Sequence, residues 1–247
     1  MVISALALTG VAQAQSLRVA VAANFKQALT EVAQDYQQQT GVKVQISAGS
    51  TGALYTQILH GAPYDLFFAA DIERPKLLEQ NQQAKSGSRI TYATGVLAFW
   101  SPGQVAAEQL LSQWDRRLAI ANPRTAPYGV AAQQTLAKLR PQNPPSLVRG
   151  SNVLQAYQYV QSGNAQAGLV ALSHLKAAKV NGAEYWLVPP SWYQPIEQQA
   201  VVLNRTHSMA DACAFLRFVV QAEQPLQANG YLTQTVDGDA LLQRCRS

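Results

Sequence analysis

The residues best suited to chemistry in this sequence lie in four strand-to-helix turns made of small or hydroxyl-bearing residues. These turns are AAN at residues 22–24, GSTG at residues 49–52, PYG at residues 127–129 and SNV at residues 151–153. The first N–H groups of a helix have no partner inside the helix, and small side chains let an anion reach them. For any single turn, an ordinary helix cap explains the residues better. Four such turns in one chain indicate a site that holds a compact oxyanion without Lys or Arg.

The usual catalytic and metal-binding patterns are absent from the sequence. His60, His174 and His207 lie far apart and in no spacing typical of metal ligands. The chain has no Gly-Lys dipeptide, which a phosphate loop requires, and no G-x-G-x-x-G after its first strand. The GSTG segment is one residue short of the nucleophile elbow of a hydrolase. We therefore expect a protein that is not an enzyme and that carries no cofactor and no zinc site.

The charge distribution argues against nucleic acid as a partner. The 247 residues carry a formal net charge of +5, but only 13% of them are charged. The basic residues are scattered singly, apart from the pair Arg116 and Arg117. A nucleic-acid-binding surface requires Lys and Arg clustered on one face. The sequence therefore predicts no nucleic-acid partner.

The N-terminus indicates the compartment. Residues 2–11 are an apolar run, and the small-x-small segment AQA at residues 12–14 follows it. This pattern is typical of the end of a secretory signal peptide, although the positively charged n-region is missing. A short buried strand or helix is the alternative. We expect residues 1–14 to be the remnant of a signal peptide and the mature chain to be exported.

The two cysteines, Cys213 and Cys245, both lie in the last segment of the chain. In an oxidising compartment they could form one disulfide that ties the C-terminal tail to a helix. Two reduced cysteines, with Cys213 in the core, are an alternative that the sequence leaves open.

Strand-like and helix-like segments alternate along the chain, which is typical of an α/β protein. Residues 17–22, 42–47 and 65–70 are strand-like, and amphipathic helical patterns separate them. This βαβαβ series favours a parallel sheet covered by helices. Further apolar runs follow at residues 96–100, 118–121, 147–149 and 167–171, and a last strand is predicted at residues 200–203.

Five segments in this order resemble the periplasmic molybdate-binding proteins of ABC importers. They are AVAANF at residues 20–25, GSTGALYTQI at 49–58, GAPYDLFFAAD at 61–71, NPRTAPYG at 122–129 and AGLVALS at 167–173. The resemblance implies a two-lobed type II periplasmic-binding-protein fold. In that fold each lobe is a mainly parallel sheet flanked by helices, and the ligand lies in the cleft between the lobes. Lobe 1 would comprise residues 17–93 and 203–247, and lobe 2 residues 94–202.

The resemblance also implies a set of oxyanion-binding residues, namely Ala23, Asn24, Ser50, Thr51, Tyr128 and Val153. In this set, Asn24 takes the place of a side-chain and backbone donor, and Thr51 takes that of a hydroxyl ligand. Tyr128 and Val153 would contribute backbone N–H groups. Some family members have a tyrosine where this chain has Ala171, so that contact is expected to be absent.

The function that the resemblance implies is the capture of molybdate, and also of tungstate, by a monomer that delivers it to the membrane permease of an ABC importer. The first alternative is a binding protein for sulfate or for a carboxylate solute such as an amino acid. A carboxylate needs an arginine fork, for which Arg124 and Arg149 are the candidates. The second alternative is an exported hydrolase that uses Ser50.

Overall fold

The computed structural model describes residues 16–139 and 145–246. The predicted signal-peptide remnant at residues 1–14 lies outside this part of the chain. The strands, in chain order, are β1 (Ser16–Ala22), β2 (Lys43–Gly49), β3 (Leu66–Phe68), β4 (Ile90–Gly95), β5 (Leu97–Trp100), β6 (Leu118–Ala121), β7 (Leu147–Gly150), β8 (Ala167–Ala171), β9 (Tyr185–Leu187) and β10 (Ile196–Val202).

Ten α-helices are present in the described residues. They are α1 (Lys26–Thr40), α2 (Thr51–Leu59), α3 (Glu73–Gln80), α4 (Glu108–Ser112), α5 (Pro127–Leu139), α6 (Val153–Gln161), α7 (Leu172–Ala177), α8 (Met209–Gln221), α9 (Glu223–Ala228) and α10 (Gly238–Arg246). None of the helices in this part of the chain is both long and apolar enough to span a membrane.

The strands form two five-stranded sheets, one in each lobe. The first sheet has the order β2-β1-β3-β10-β4 and the second the order β7-β6-β8-β5-β9. The strand β1 pairs in parallel with β2 and β3, which confirms the parallel βαβαβ unit. The strand β10 is antiparallel to both β3 and β4, and β5 is antiparallel to both β8 and β9. Each sheet is therefore mixed, with a parallel half and an antiparallel half.

The two crossovers between the lobes are short. The strand β4 of the first sheet ends at Gly95, and β5 of the second sheet begins at Leu97. The chain returns at β10, which begins at Ile196 and belongs to the first sheet. The boundary expected after residue 202 is therefore placed too late, because residues 196–202 lie in lobe 1. The polar pair Gln198 and Gln199 occupies the middle of this strand at a register shift, which interrupts its apolar pattern.

Buried apolar side chains cover both faces of each sheet. In lobe 1, α1 packs one face of its amphipathic pattern into the main core, and the helix ends at Gly41, whose positive φ of 74° suits glycine. The same core contains a disulfide between Cys213 on α8 and Cys245 on α10. Of the two alternatives that the sequence left open for these cysteines, the structure therefore has the disulfide.

Candidate functional site

The four turns that the sequence singled out meet at one cavity between the lobes. Lobe 1 lines this interlobe cavity with Ala22, Ala23, Asn24, Gly49, Ser50, Thr51 and Ala70, and lobe 2 lines it with Ala126, Pro127, Tyr128, Asn152 and Val153. The structure therefore brings all six predicted site residues together. They meet because the ends of parallel strands lie at the same edge of a sheet, and the two edges face each other. The cavity is small, ≈ 10 Å³.

In the first turn, most polar groups are already bonded within the protein. The N–H of Ala23 donates to the carbonyl oxygen of Gly49 at 2.9 Å, so it is not free to bind a ligand. The side-chain amide of Asn24 donates to Gln198 Oε1 at 2.8 Å and to Tyr231 Oη at 3.2 Å. Both amide hydrogens of Asn24 therefore have acceptors in a buried network, and this geometry does not support the expected side-chain donor. The backbone N–H of Asn24 has no acceptor in the part of the chain that the structure describes.

In the second turn, two buried hydroxyls accept hydrogen bonds from the backbone and keep their own hydrogens free. Thr51 Oγ1 accepts from the N–H of Ala70 at 3.1 Å, and Ser50 Oγ accepts from the N–H of Ala53 at 3.4 Å. Thr51 is only 1% exposed. A hydroxyl carries one hydrogen and two lone pairs, so each can still donate to a third group. The N–H groups of Ser50 and Thr51 also lack acceptors among the described residues.

Ser50 is the N-cap of α2, and Thr51 is the first residue of the helix. The ordinary helix cap is therefore Ser50 and not Thr51. Thr51 instead anchors the end of β3 through Ala70. Its side chain thus joins two of the segments that line the interlobe cavity.

The lobe 2 turns offer only backbone donors. Tyr128 follows Pro127 in the first turn of α5, and Val153 begins α6 after Asn152, which caps that helix by accepting from the N–H of Gln155 at 3.0 Å. The N–H groups of Tyr128 and Val153 have no acceptor within the described ranges. They are the groups that helix geometry leaves unpaired in a first turn.

The electrostatics of the cavity come from neutral groups. None of its lining residues is charged, and the Arg124 and Arg149 side chains expected for a carboxylate fork are not among them. Burial raises the pKa of Tyr128 well above its usual value, so this hydroxyl stays neutral. The N-termini of α2, α5 and α6 all point toward the cavity and give it a partial positive potential.

The lobes also touch directly beside the cavity. The N–H of Gly52 in lobe 1 donates to the carbonyl oxygen of Thr125 in lobe 2 at 2.9 Å. A Cβ atom at Gly52 would lie 3.1 Å from both the Cα and the carbonyl oxygen of Thr125. Because these neighbours are backbone atoms, a side chain at this position forces the lobes apart.

A model of the bacterial extracellular solute-binding protein family matches residues 17–232 of the chain. The chain belongs to this family. It is 42% identical over 229 residues to the molybdate-binding protein ModA of Azotobacter vinelandii, covering 89% of this chain and 91% of that protein. It is 37% identical over 230 residues to the molybdate-binding protein ModA of Rhodobacter capsulatus, covering 90% of each.

Solved structures show the same fold for this solute-binding protein. The periplasmic molybdate-binding protein of Azotobacter vinelandii superimposes with a TM-score of 0.83 at 38% identity, over 89% of this chain and 100% of that one. The sulfate-binding protein SubI of Mycobacterium tuberculosis superimposes with a TM-score of 0.74 at 15% identity, over 93% of this chain and 90% of that one. The first match confirms the two-lobed periplasmic-binding-protein fold, and the second supports the fold alone.

No local sequence pattern predicts the polar network behind the cavity. Gln198 Oε1 accepts from Asn24 Nδ2 and, at 2.9 Å, from Tyr92 Oη. A Cβ atom at Gly95 would overlap both Tyr128 Oη and Gln198 Nε2, so the glycine makes room for the Tyr128 ring. The backbone of Tyr128 therefore lines the cavity, and its ring packs next to Gly95 at the end of β4. The sequence does not show this network because its residues lie far apart in the chain; Asn24 and Gln198 are 174 positions apart.

Proposed function

We propose that this solute-binding protein captures molybdate in the periplasm and delivers it to the membrane permease of an ABC importer. One observation carries the proposal: buried hydrogen-bond donors without protein acceptors converge on a cavity that has no charged side chain. The relatives named as molybdate-binding proteins support it. In this function the chain binds and releases a solute and performs no catalysis.

The proposed ligands are five backbone N–H groups and two hydroxyls. The N–H groups belong to Asn24, Ser50, Thr51, Tyr128 and Val153, and the hydroxyls to Ser50 and Thr51. A hydrogen bond to a charged group is worth roughly 1.5–3 kcal/mol, so such a set gives on the order of 10–20 kcal/mol before the cost of closing the lobes. Nanomolar binding needs about 12 kcal/mol. The donor set is therefore sufficient for tight binding. Ala23 contributes to the wall of the cavity.

A site made only of donors selects against protonated anions. Phosphate near neutral pH carries a proton, which needs an acceptor inside the site. The carbonyl oxygens of Ala23 and Asn24 already accept hydrogen bonds from other residues. Molybdate and tungstate are fully ionised and nearly equal in size, so we propose that both bind. Sulfate is also a pure acceptor, and the site can reject it only by its smaller size.

The burial of the donors implies lobe motion during binding. The donors of both lobes are buried, so an anion reaches them only when the two lobes separate. Direct contacts such as that between Gly52 and Thr125 would break in that open form and form again when the lobes close. We propose that the protein works as a monomer, since one chain supplies both halves of the site.

Calorimetry of the mature protein at matched ionic strength and neutral pH tests the proposal. We expect molybdate and tungstate to bind tightly, and phosphate to bind at least about a hundredfold more weakly, a difference of roughly 3 kcal/mol. Binding of sulfate with equal or higher affinity would favour the sulfate alternative. Binding of amino acids, or absence of any oxyanion binding, would overturn the proposal.

A further inference from the structure

The start of α7 in lobe 2 contacts the turn at residues 22–25 in lobe 1. Ser173 Oγ donates to the carbonyl oxygen of Asn24 at 2.9 Å, and His174 Nε2 lies 3.3 Å from the carbonyl oxygen of Ala23. Both side chains are buried, with exposed fractions of 4% and 7%. Neither lines the interlobe cavity. They therefore bond to the side of the turn that faces away from the cavity, and the other side of the turn faces the proposed ligand.

The geometry of the peptide bond links the two sides of this turn. The carbonyl of Ala23 and the N–H of Asn24 belong to one planar trans peptide, in which the C=O and N–H bonds point in opposite directions. A donor that holds the Ala23 carbonyl on one side therefore aims the Asn24 N–H toward the other side. Hydrogen bonds in a chain also polarise one another, which makes that N–H a better donor.

The protonation state of His174 suits this role. Burial lowers the pKa of His174 to about 4, so the imidazole is neutral at neutral pH. A carbonyl oxygen can only accept, so the bond to Ala23 requires the tautomer with its hydrogen on Nε2. The imidazole is thus a neutral donor that adds no charge next to the site.

The same helix start is docked on lobe 1 by a second contact. A Cβ atom at Gly230 would lie 2.9 Å from Leu172 Cγ, so the C-terminal segment of lobe 1 packs closely against α7. Next to Gly230, Tyr231 Oη donates to the carbonyl oxygen of Asn24 at 2.6 Å, alongside Ser173. Separation of the lobes removes Ser173 and His174 from the turn but leaves Tyr231 in place, because Tyr231 belongs to lobe 1.

We propose that Ser173 and His174 are positioning residues that hold the turn at residues 22–25 in its oxyanion-binding conformation and couple that conformation to lobe closure. The inference rests on the proposed function and deepens it, because it names side chains that set the affinity without touching the anion. Since the carbonyl of Asn24 keeps Tyr231 when Ser173 is removed, while the carbonyl of Ala23 has no second donor in the described residues, His174 carries the larger share.

Affinity measurements on position 174 test the proposal. His174→Leu removes the donor, and we expect molybdate binding about tenfold or more weaker in calorimetry at pH 7.5. In His174→Gln the side-chain amide can again donate to Ala23, so we expect affinity within about threefold of wild type. Ser173→Ala should weaken binding by a smaller factor, about threefold. Rescue by glutamine is a result that a purely structural role does not require.

Exposed residues of the same types provide matched controls. His60 Nδ1 lies 2.8 Å from the carbonyl oxygen of Thr56, and Ser162 Oγ donates to the carbonyl oxygen of Gln158 at 2.8 Å, both away from the cavity. The variants His60→Leu and Ser162→Ala should bind molybdate as wild type does. Hydrogen exchange gives a second readout, because at saturating molybdate, which holds the lobes closed, the backbone N–H of Asn24 should exchange faster in Ser173→Ala than in Ser162→Ala.

The outcomes test the positioning role and the proposed function separately. Tight binding of molybdate by wild type together with unchanged affinity in folded His174→Leu would overturn the positioning role and leave the proposed function intact. Absence of molybdate binding by wild type would overturn both. Should His174→Leu fail to fold, equal affinity and equal Asn24 exchange in Ser173→Ala and Ser162→Ala would overturn the positioning role.

Discussion

Lobe 1 faces the interlobe cavity with two side-chain hydroxyls as well as backbone N–H groups, whereas lobe 2 faces it with backbone N–H groups alone. Thr51 and Ser50 are held by bonds from Ala70 and Ala53, so their positions depend on side-chain chemistry. Tyr128 and Val153 contribute through the first turns of α5 and α6, so their positions depend on where those helices begin. The comparison predicts that lobe 1 is sensitive to the loss of a side chain and lobe 2 to a displaced backbone.

The largest effect is expected from Gly129→Ala in lobe 2. A Cβ atom at Gly129 would overlap the carbonyl oxygen of Ala121 and would lie 2.7 Å from the nitrogen of Pro123. These are backbone atoms, so the first turn of α5 must move and take the Tyr128 N–H with it. We expect molybdate affinity to fall at least about a hundredfold, since a charge-assisted bond worth roughly 1.5–3 kcal/mol is lost and the wall at Pro127 shifts.

The matched control for this substitution is Gly182→Ala. Gly182 is exposed, and no atom lies within 4 Å of the position of a Cβ atom there. Calorimetry should give wild-type affinity for this variant. Equal affinity of Gly129→Ala and wild type would show that the lobe 2 backbone tolerates displacement, and the comparison between the lobes would fail.

The next largest effect is expected from Thr51→Ala in lobe 1. The substitution removes one donor to the anion and leaves the buried Ala70 N–H without its acceptor. We expect a loss of roughly tenfold to a hundredfold in affinity, from a bond worth about 1.5–3 kcal/mol, together with a lower melting temperature. Val153→Ala in lobe 2 keeps the backbone N–H, so its affinity should change by less than about threefold.

Thr51→Ser is the control that preserves the hydroxyl. It should retain most of the affinity and most of the stability, because Oγ can still accept from Ala70 and donate to the anion. A lowered melting temperature with unchanged affinity in Thr51→Ala would assign Thr51 a purely structural role. Equal losses for Thr51→Ala and Val153→Ala would remove the distinction between the lobes.

The sequence alone could predict which residues line the interlobe cavity, but not which of their hydrogen-bond donors already have acceptors within the protein. The positions of Thr51 and Val153 follow from strand ends and helix starts, which are local patterns. The bond from Ala23 to Gly49 and the burial of the Asn24 amide against Gln198 depend on contacts between segments far apart in the chain. No local pattern carries that information, so the sequence cannot show that the side-chain amide of Asn24 already has protein acceptors.

Local patterns also decide which strands the sequence could predict. The sequence predicts the parallel strands β1, β2 and β3, because they have continuous or alternating apolar patterns with helices between them. The sequence predicts the strand β10 only from Ala200 onward, because the polar residues Gln198 and Gln199 precede Ala200 within the strand. Gln198 is fully buried, and it is polar because its side chain serves the network behind the site. The sequence pattern therefore failed at a residue that belongs to the functional architecture.

A smaller effect is expected from Gly52→Ala, which tests the contact between the lobes. The new methyl group would lie 3.1 Å from backbone atoms of Thr125, a distance that requires the lobes to move apart by a few tenths of an ångström. We expect a loss of about tenfold in molybdate affinity, or about 1.4 kcal/mol, with little change in the melting temperature of the ligand-free protein. Gly182→Ala again serves as the control. Unchanged affinity would show that this contact already adjusts when the anion binds.

The last effect, of about the same size, is expected from pH, and it concerns the imidazole that joins lobe 2 to the turn of lobe 1. The pKa of His174 is about 4 in the folded protein because of burial, against about 6.5 in the unfolded chain. The ring of Tyr157 on α6, with its centroid 5.5 Å from that of His174, stays neutral because burial raises the pKa of Tyr157. Below pH 6.5 the unfolded chain binds a proton at this histidine that the folded protein does not bind. Stability from this residue is therefore complete above pH 6.5 and is lost progressively as the pH falls toward 4.

This linkage gives a measurable difference between wild type and His174→Gln. At pH 5.5 the wild type should have lost about 1.4 kcal/mol of its free energy of unfolding through His174 alone, and the glutamine variant should lose nothing by this route. Urea unfolding at pH 7.5 and 5.5 measures both losses, and the titration of all other groups cancels in the comparison. The variant His60→Gln changes an exposed histidine and should follow wild type. Parallel losses in wild type and His174→Gln would show that the imidazole is not held neutral at the junction between the lobes.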